Sequence, residues 1–278
     1  MTFAPRLVAA FAIAATLVLS LVAPVQAANR DDIRAFMDIV GFDVALEGLR
    51  EGARNAPAIV GLSADDFGLA WTLAADEVFQ PAALVEDALD ILEDTLDQDT
   101  LDHATGFYAS DLGSRLVAAE NESHLTDDDI KREQGTVLAA ELTQDGSLKP
   151  DLFLRMTDAI GGVEQSIASY REVQVRFVMM AQAAGAIERR FSETELRQIL
   201  GANDAELKQS IAANTVRSSA YTYRDFDDDE MVAYLQALSQ PQMQRVYALM
   251  NAIQYTIMAD RYEVLAAKLA ELSPSLDL

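Results

Sequence analysis

The chain has 278 residues, 50% of them hydrophobic, and carries 21 Lys and Arg against 45 Asp and Glu, which gives a net charge of −24. Such a charge repels nucleic acid and anionic lipid headgroups, so the sequence predicts neither as a partner. Cysteine is absent, which excludes disulfides, thiolate metal sites and cysteine nucleophiles.

Residues 1–27 have the pattern of a cleaved secretory signal. Arg6 precedes an uncharged apolar run over residues 7–23, and residues 25–27 form an A-x-A-like cleavage site. An uncleaved membrane anchor is the alternative, because the run is close to the length that spans a bilayer. No later stretch is apolar enough to cross a membrane. We therefore expect a periplasmic or secreted protein with no membrane span after cleavage near Ala27.

The remaining sequence predicts an all-α protein, a multi-helix bundle. Apolar residues recur at spacings of three and four, and no alternating run bounded by turns indicates a strand. Capping residues such as Asn29 and Ser63 mark helix starts, and Gly41 and Pro81 mark breaks. In chain order we expect a first helix from residue 30 that is weakened at Gly41 and continues until near Ala56, then helices over residues 63–78, 85–96 and 99–108, one around residue 115, one starting at residue 126, and helices over 163–191, 192–201, 229–238 and 241–272.

Two segments of the chain, 96–121 and 226–251, resemble each other at a fixed offset of 130. Residues 36–41 are echoed at 156–161, at an offset of 120. Identical and apolar residues that match in register indicate an internal repeat. The identical pairs are Asp97 and Asp227, Asp99 and Asp229, Arg115 and Arg245, Ala118 and Ala248, and Asn121 and Asn251.

This repeat predicts two tandem degenerate helical units. Asp145 and Gly146, followed by Pro150, interrupt the helical pattern and place the boundary near Gly146. The N-terminal unit would cover residues 28–145 and the C-terminal unit residues 146–278, packed either as two domains or as one body.

The sequence predicts no metal site and no cofactor. His103 and His124 are the only histidines, and their spacing fits no local zinc motif. Two aspartate clusters, at residues 97–102 and 225–229, lack the glycine and the glutamate that an EF-hand calcium loop requires. Acids at helix starts, which interact favourably with the helix dipole, explain both clusters.

Paired carboxylates at helical spacing, Glu86 with Asp90 and Glu93 with Asp97, have the chemistry of a glycosidase acid and base. They lie opposite the apolar face of their helix, whereas a catalytic pair needs a cleft that perturbs its ionisation. The sequence also contains no G-x-S-x-G nucleophile elbow. We therefore predict that the protein is not an enzyme and assign no catalytic residue.

Six of the eight tyrosines fall in the last third of the chain, three of them on the predicted final helix. Tyrosine combines an apolar body with a polar tip, and methionine adapts to irregular apolar surfaces. A group of these residues is typical of a partner or ligand surface, and the alternative is that they fill helix–helix contacts. The candidate residues are Tyr247, Tyr255, Tyr262, Met250 and Met258.

The sequence FYASDLGSR at residues 107–115 has an echo, ALSQP, at residues 237–241. Together with the leader and the two helical halves, this motif resembles a family of exported helical proteins of Gram-negative bacteria, catalogued as the domain of unknown function DUF2059. The resemblance implies a periplasmic or secreted all-α protein over most of the mature chain and brings no known catalytic residues. We interpret the motif residues as structural: Phe107, Tyr108, Ser110, Gly113, Arg115, Ser239 and Arg245.

Three functions follow from these patterns. We expect first a periplasmic interaction or scaffold protein whose partner is an unknown periplasmic protein, because no catalytic or phosphate-binding motif is present. The second hypothesis is a carrier that holds an apolar small molecule in a groove between the long helices. The third is a cell-wall glycan hydrolase that uses the paired carboxylates.

Overall fold

The computed structural model describes residues 27–57, 63, 65, 68–183, 185, 187, 189–202 and 204–272. The predicted secretory signal before Ala27 lies outside these residues. The described chain forms thirteen helices and no strand, with one isolated antiparallel bridge between Ala27 and Asp97. The all-α prediction is therefore confirmed. The helices are α1 (Arg30–Val40), α2 (Phe42–Arg54), α3 (Gly68–Val78), α4 (Pro81–Thr95), α5 (Gln98–Tyr108), α6 (Asp111–Leu125), α7 (Asp128–Gln144), α8 (Lys149–Ala159), α9 (Gly162–Ala183), α10 (Glu193–Gly201), α11 (Asp204–Thr222), α12 (Asp228–Leu238) and α13 (Pro241–Leu272).

Capping residues explain several helix boundaries. The Asn29 side chain accepts a hydrogen bond from the Asp31 amide at 2.8 Å and starts α1, which Gly41 ends with a φ of 64°. Ser192 and Glu195 form the predicted reciprocal capping box of α10. Helix α13 covers its whole predicted range, and its 32 residues span about 48 Å at 1.5 Å per residue.

Helix α9 is shorter than the apolar pattern predicts. It ends at Ala183 rather than at residue 191. The Gln182 side chain accepts a hydrogen bond from the Phe191 amide at 2.6 Å and donates one to the Phe191 carbonyl at 3.1 Å. These bonds satisfy the backbone of Phe191 outside a helix, and Ile187 and Phe191 pack against the buried residues of α9 and α10.

Two predicted helix starts also differ. Thr126 is the C-cap of α6, and Asp127 rather than Thr126 is the N-cap of α7, because the Asp127 carboxylate accepts hydrogen bonds from the amides of Asp129 and Ile130. The predicted start at Ser63 adjoins positions outside the described residues, and the described helix α3 begins at Gly68.

The two predicted units share one hydrophobic core. It contains Trp71 and Leu89 from the first half of the chain and Phe153, Phe177 and Leu265 from the second. Helix α13 contacts α3, α4 and α5 of the first half as well as α9 of its own half. The predicted boundary at Gly146 lies in the turn between α7 and α8, where this glycine has a φ of 67°. The long last helix therefore joins both halves around a common interior.

None of the helices in the described part of the chain combines the length and the apolar character needed to cross a bilayer.

Candidate functional site

Helix α6 carries the central residue of the candidate site, and the turn between α5 and α6 positions this helix. The Ser110 hydroxyl caps α6 by accepting a hydrogen bond from the Gly113 amide at 3.1 Å. Gly113 packs so closely on α5 that a Cβ atom there would lie 2.2 Å from the Phe107 carbonyl oxygen. Only glycine fits this approach. Ser239, the matching serine of the second half, follows α12, and its hydroxyl donates to the Leu235 carbonyl at 2.7 Å.

The aromatic pair of the motif connects α5 to the second half of the chain. The hydroxyls of Tyr108 and Tyr247 share a hydrogen bond between α5 and α13. Phe107 stacks on Tyr234 of α12 at a centroid distance of 5.9 Å and an interplanar angle of 10°. Both motif residues therefore have a structural role, and Tyr108 also lines the site described below.

The two matched arginines cross between the halves. Arg115 of α6 forms an ion pair with Glu230 at the start of α12. Arg245 of α13 lies near Asp97 at the start of α5. Burial raises the pKa of Asp97. Hydrogen bonds from Thr100 and the positive charge of Arg245 lower this pKa by more, so it lies below its usual value.

A buried carboxyl group, Glu120 of α6, lies at the centre of the site. Its Oε1 atom accepts hydrogen bonds from the hydroxyls of Tyr223 at 2.7 Å and of Tyr234 at 2.9 Å. Within the described residues, Oε2 accepts no hydrogen bond, and no Lys or Arg forms an ion pair with Glu120. The residue is partly exposed because it lines two clefts, although protein surrounds its carboxyl group.

Burial controls the ionisation of this group and its neighbours. Desolvation raises the pKa of Glu120, and the hydrogen bonds from Tyr223 and Tyr234 lower it by less. Burial also raises the pKa of Tyr247 to about 12 and keeps the pKa of Tyr223 and Tyr234 well above the usual value, so the tyrosine hydroxyls remain protonated donors. Burial, together with the charge of nearby Lys131, lowers the pKa of His124.

The first cleft, which we name the amide cleft after Asn121 and Asn251, lies between α1, α6 and α13 and has a volume of about 160 Å³. The described lining contains one acid, Glu120, one histidine, His124, and no Lys or Arg. The lining can therefore contact both the apolar body and the polar head group of a small molecule. The apolar lining residues are Phe36, Val40, Phe42, Val246 and Met250, and the polar ones are Tyr108, Glu120, Asn121, His124, Tyr247, Asn251 and Gln254.

The second cleft, which we name the tyrosine cleft after Tyr223, Tyr234 and Tyr247, lies on the other side of Glu120 and has a volume of about 420 Å³. It differs from the amide cleft because Lys131 of α7 is part of its lining. Glu120, His124 and Tyr247 line both clefts. The remaining lining residues are Ser123, Phe153, Met156, Thr157, Ile160, Ser218, Ser219, Thr222 and Leu238.

The structure separates the five candidate residues for a partner or ligand surface. Tyr247 and Met250 line the amide cleft. Tyr262 is buried between the rings of Phe79 and Phe177, at centroid distances of 5.4 and 5.7 Å.

The other two candidates lie elsewhere on α13. Tyr255 lines a separate depression, together with Glu172 and Arg176 of α9, and Met258 packs partly buried against the core. The five residues therefore do not form one surface.

The paired carboxylates of α4 form ion pairs at an exposed face. Arg30 of α1 contacts Glu86 at 2.8 Å, Asp90 at 2.7 Å and Glu93 at 2.9 Å. Hydrogen bonds from Arg34 and then Arg30 lower the pKa of Glu86. None of these three acids lines the amide or the tyrosine cleft.

Sequence reasoning did not select Glu120. The signal was present, because Glu120 falls four residues after the buried Leu116 and seven after the buried Gly113. An acid on the buried stripe of a helix is uncommon and marks either a paired charge or a functional group. The sequence likewise does not predict His124, one turn further along α6, as a site residue.

These features define the class of the protein: an all-α protein with a tyrosine-bound glutamate between two clefts. Residues 82–141 match a family described as "Uncharacterized protein conserved in bacteria (DUF2059)". The matched segment runs from α4 into α7 and includes the motif at 107–115 and Glu120, so the resemblance expected from the sequence is confirmed there. No curated protein and no solved structure matches the chain. The match does not include residues 226–251, and the internal duplication stays a prediction.

Proposed function

We propose that the protein is an exported, non-enzymatic binding protein that carries a small, mainly apolar molecule in the amide cleft. The observation that carries this proposal is the convergence of an apolar wall, which includes Phe36 and Met250, with the buried Glu120 and two amide side chains. A concave apolar site with a few converging polar groups is the usual form of a small-molecule site. Export rests on the signal pattern of residues 1–27.

The paired carboxylates of α4 do not favour the glycan hydrolase. They form ion pairs with Arg30 at an exposed face, and they lie outside both clefts. A glycosidase needs its two carboxyl groups on opposite sides of a bound sugar. Binding without chemistry therefore remains the simpler proposal.

The carrier function is tested by filling the cleft. N-phenyl-1-naphthylamine, whose fluorescence rises in apolar surroundings, is titrated against wild type, Met250→Trp and Ala248→Trp. Met250 lines the cleft, whereas Ala248 on the same helix is exposed and serves as the matched control. We expect saturable one-to-one binding by wild type and by Ala248→Trp, and its loss in Met250→Trp.

A second readout uses the protein as it is secreted. Native mass spectrometry of protein isolated without denaturants should show an added mass that organic extraction removes. Bare polypeptide together with no dye binding by wild type would refute the carrier function.

The interaction or scaffold function remains a second candidate because α3 carries an exposed apolar face. Leu69 and Leu73 lie one helical turn apart and are 72% and 60% exposed. Exposed apolar residues that cluster are typical of contact surfaces. Pull-down from periplasmic extract should recover one stoichiometric partner with wild type and with the control Leu125→Ser, but not with the Leu69→Ser, Leu73→Ser double variant. Equal recovery by all three would exclude this face as the contact.

A further inference from the structure

The described lining of the amide cleft contains no Lys or Arg that could pair with the carboxyl group of Glu120. Glu120 presents Oε2 without a hydrogen bond from the described protein, and Lys and Arg are absent from the described lining. His124, the one basic side chain there, has its pKa lowered by burial. A buried carboxyl group without a counter-charge is unfavourable, and a ligand that supplies the charge removes this cost.

We propose that the amide cleft selects an organic cation, a protonated amine with a short apolar body, whose ammonium group binds Oε2 of Glu120. This inference rests on the carrier function proposed above. The apolar wall formed by Phe36, Val40 and Met250 would contact the body of the amine, and the side-chain oxygen of Asn121 is a further acceptor near its head group. Rings of Tyr108 and Tyr247 in the same lining add favourable cation–π contacts.

The tyrosines around Glu120 are arranged to complement this role. Tyr223 and Tyr234 donate to Oε1 only, which holds the carboxyl group in place and leaves Oε2 for a ligand. Their hydroxyls remain protonated, because burial keeps their pKa well above the usual value. Two neutral donors on one oxygen stabilise a carboxylate without cancelling its charge.

The net charge of the whole protein favours the same ligand. With 45 acids against 21 basic residues, the field around the molecule attracts cations and raises their concentration near the clefts. This field acts on every cation, however, and provides no selectivity. Selectivity requires Glu120. The test must therefore separate the effect of the overall charge from the effect of the Glu120 carboxyl group.

The experiment compares three ligands of equal chain length by calorimetry: hexylamine, 1-hexanol and hexanoate, at pH 7.5 and at two salt concentrations. We expect hexylamine to bind tightest with one-to-one stoichiometry and hexanoate weakest. Glu120→Gln keeps an oxygen for Tyr223 and Tyr234 and should weaken hexylamine at least about tenfold, because a hydrogen bond to a charged group is lost. Glu133→Gln removes an exposed acid of α7 and should change affinity less than about twofold.

Proton release gives an independent readout. Burial raises the pKa of Glu120, and an ammonium group at Oε2 would lower it again, so binding should release protons near the folded pKa. The titratable groups that face Glu120 are Tyr108, Tyr223, Tyr234 and Tyr247, with His124 on its own helix and Lys131 across the tyrosine cleft. Calorimetry in two buffers of different ionisation enthalpy measures this release, which should vanish in Glu120→Gln.

The outcomes separate this inference from the carrier function. If 1-hexanol binds as tightly as hexylamine, or if Glu120→Gln binds hexylamine as well as wild type does, the cation inference is wrong. The carrier function survives that result when the neutral dye still binds wild type and not Met250→Trp. If none of the three ligands binds, the cation inference is refuted for short amines, and the dye titration alone decides the carrier function.

Discussion

Asn121 and Asn251 line the same cleft, and each lies beside a glycine with positive φ. A Cβ atom on Gly41, with φ 64°, would lie 2.3 Å from Oδ1 of Asn121, and one on Gly161, with φ 127°, would lie 3.1 Å from Nδ2 of Asn251. The asparagines correspond at the offset of 130 and the glycines at the offset of 120. Two equivalent glycine–asparagine contacts support the predicted duplication, which stays a hypothesis about the origin of the chain.

Replacing Gly41 with alanine should destabilise the protein. The positive φ alone costs about 1–3 kcal/mol for a residue with a side chain, and the contact with Asn121 adds to this. Gly106→Ala is the control, because Gly106 lies inside α5 with no atom within 4 Å of the added Cβ. That variant should gain up to about 1 kcal/mol from helix propensity. Urea unfolding measures both, and a Gly41→Ala protein as stable as wild type would contradict the contact.

Glu120 should make stability fall as the pH rises. Its pKa is raised from the ordinary 4.5, so above that pH the folded state binds more protons than the unfolded state. The contribution is fully present below pH 4.5 and is lost as the pH rises through the folded pKa. Glu120→Gln removes this pH dependence of stability. Its stability relative to wild type should therefore increase as the pH rises from 4.5 through the folded pKa of Glu120.

The measurement is urea unfolding of both proteins at a series of pH values, with Glu133→Gln to correct for the loss of one surface charge. A stability difference between Glu120→Gln and wild type that does not change with pH would show that the pKa of Glu120 is the same in both states.

The two tyrosines that bind Glu120 should show coupled effects. Tyr223→Phe and Tyr234→Phe each remove one hydrogen bond to Oε1 and should cost about 1–2 kcal/mol. Because both hydroxyls donate to the same oxygen, the double variant should differ from the sum of the single ones. Tyr170→Phe, at a half-exposed position, should stay within about 0.5 kcal/mol of wild type. Strict additivity in a double-mutant cycle would argue against a shared acceptor.

Arg30→Gln should weaken the contact between α1 and α4 in a salt-dependent way. The arginine contacts three carboxylates of α4 at an exposed face, and its loss leaves those acids to repel one another. We expect a small loss of stability that is larger at low salt than in 1 M salt. Arg155→Gln is the control, because within the described residues the ion pair of Arg155 is with one acid, Asp151, at the longer distance of 3.8 Å. Equal effects for both variants at low salt would argue against a role for the three-acid cluster.

Much of the helical framework could be predicted from local sequence. Capping groups such as Asn29, and the pair of Ser192 with Glu195, act within one turn, so their bonds are readable without a tertiary structure. The apolar period predicted α13 over its full length. The same signal failed at the end of α9, because the side chain of Gln182 satisfies the backbone of Phe191 in a way that no local pattern shows.

The sequence by itself determined the all-α class, the boundaries of several helices and a short motif that resembles DUF2059, because spacing, capping and turn residues act locally along the chain. It predicted neither α8 nor α11. Only the tertiary structure decided that Glu120, Tyr223 and Tyr234 meet, since more than one hundred residues separate the hydroxyl donors from their acceptor. It also placed Tyr247 in the clefts and Tyr262 in the core, although both lie on one helix. Which face of a helix is covered depends on neighbours that are distant in sequence, and the cleft exists only where those neighbours leave space.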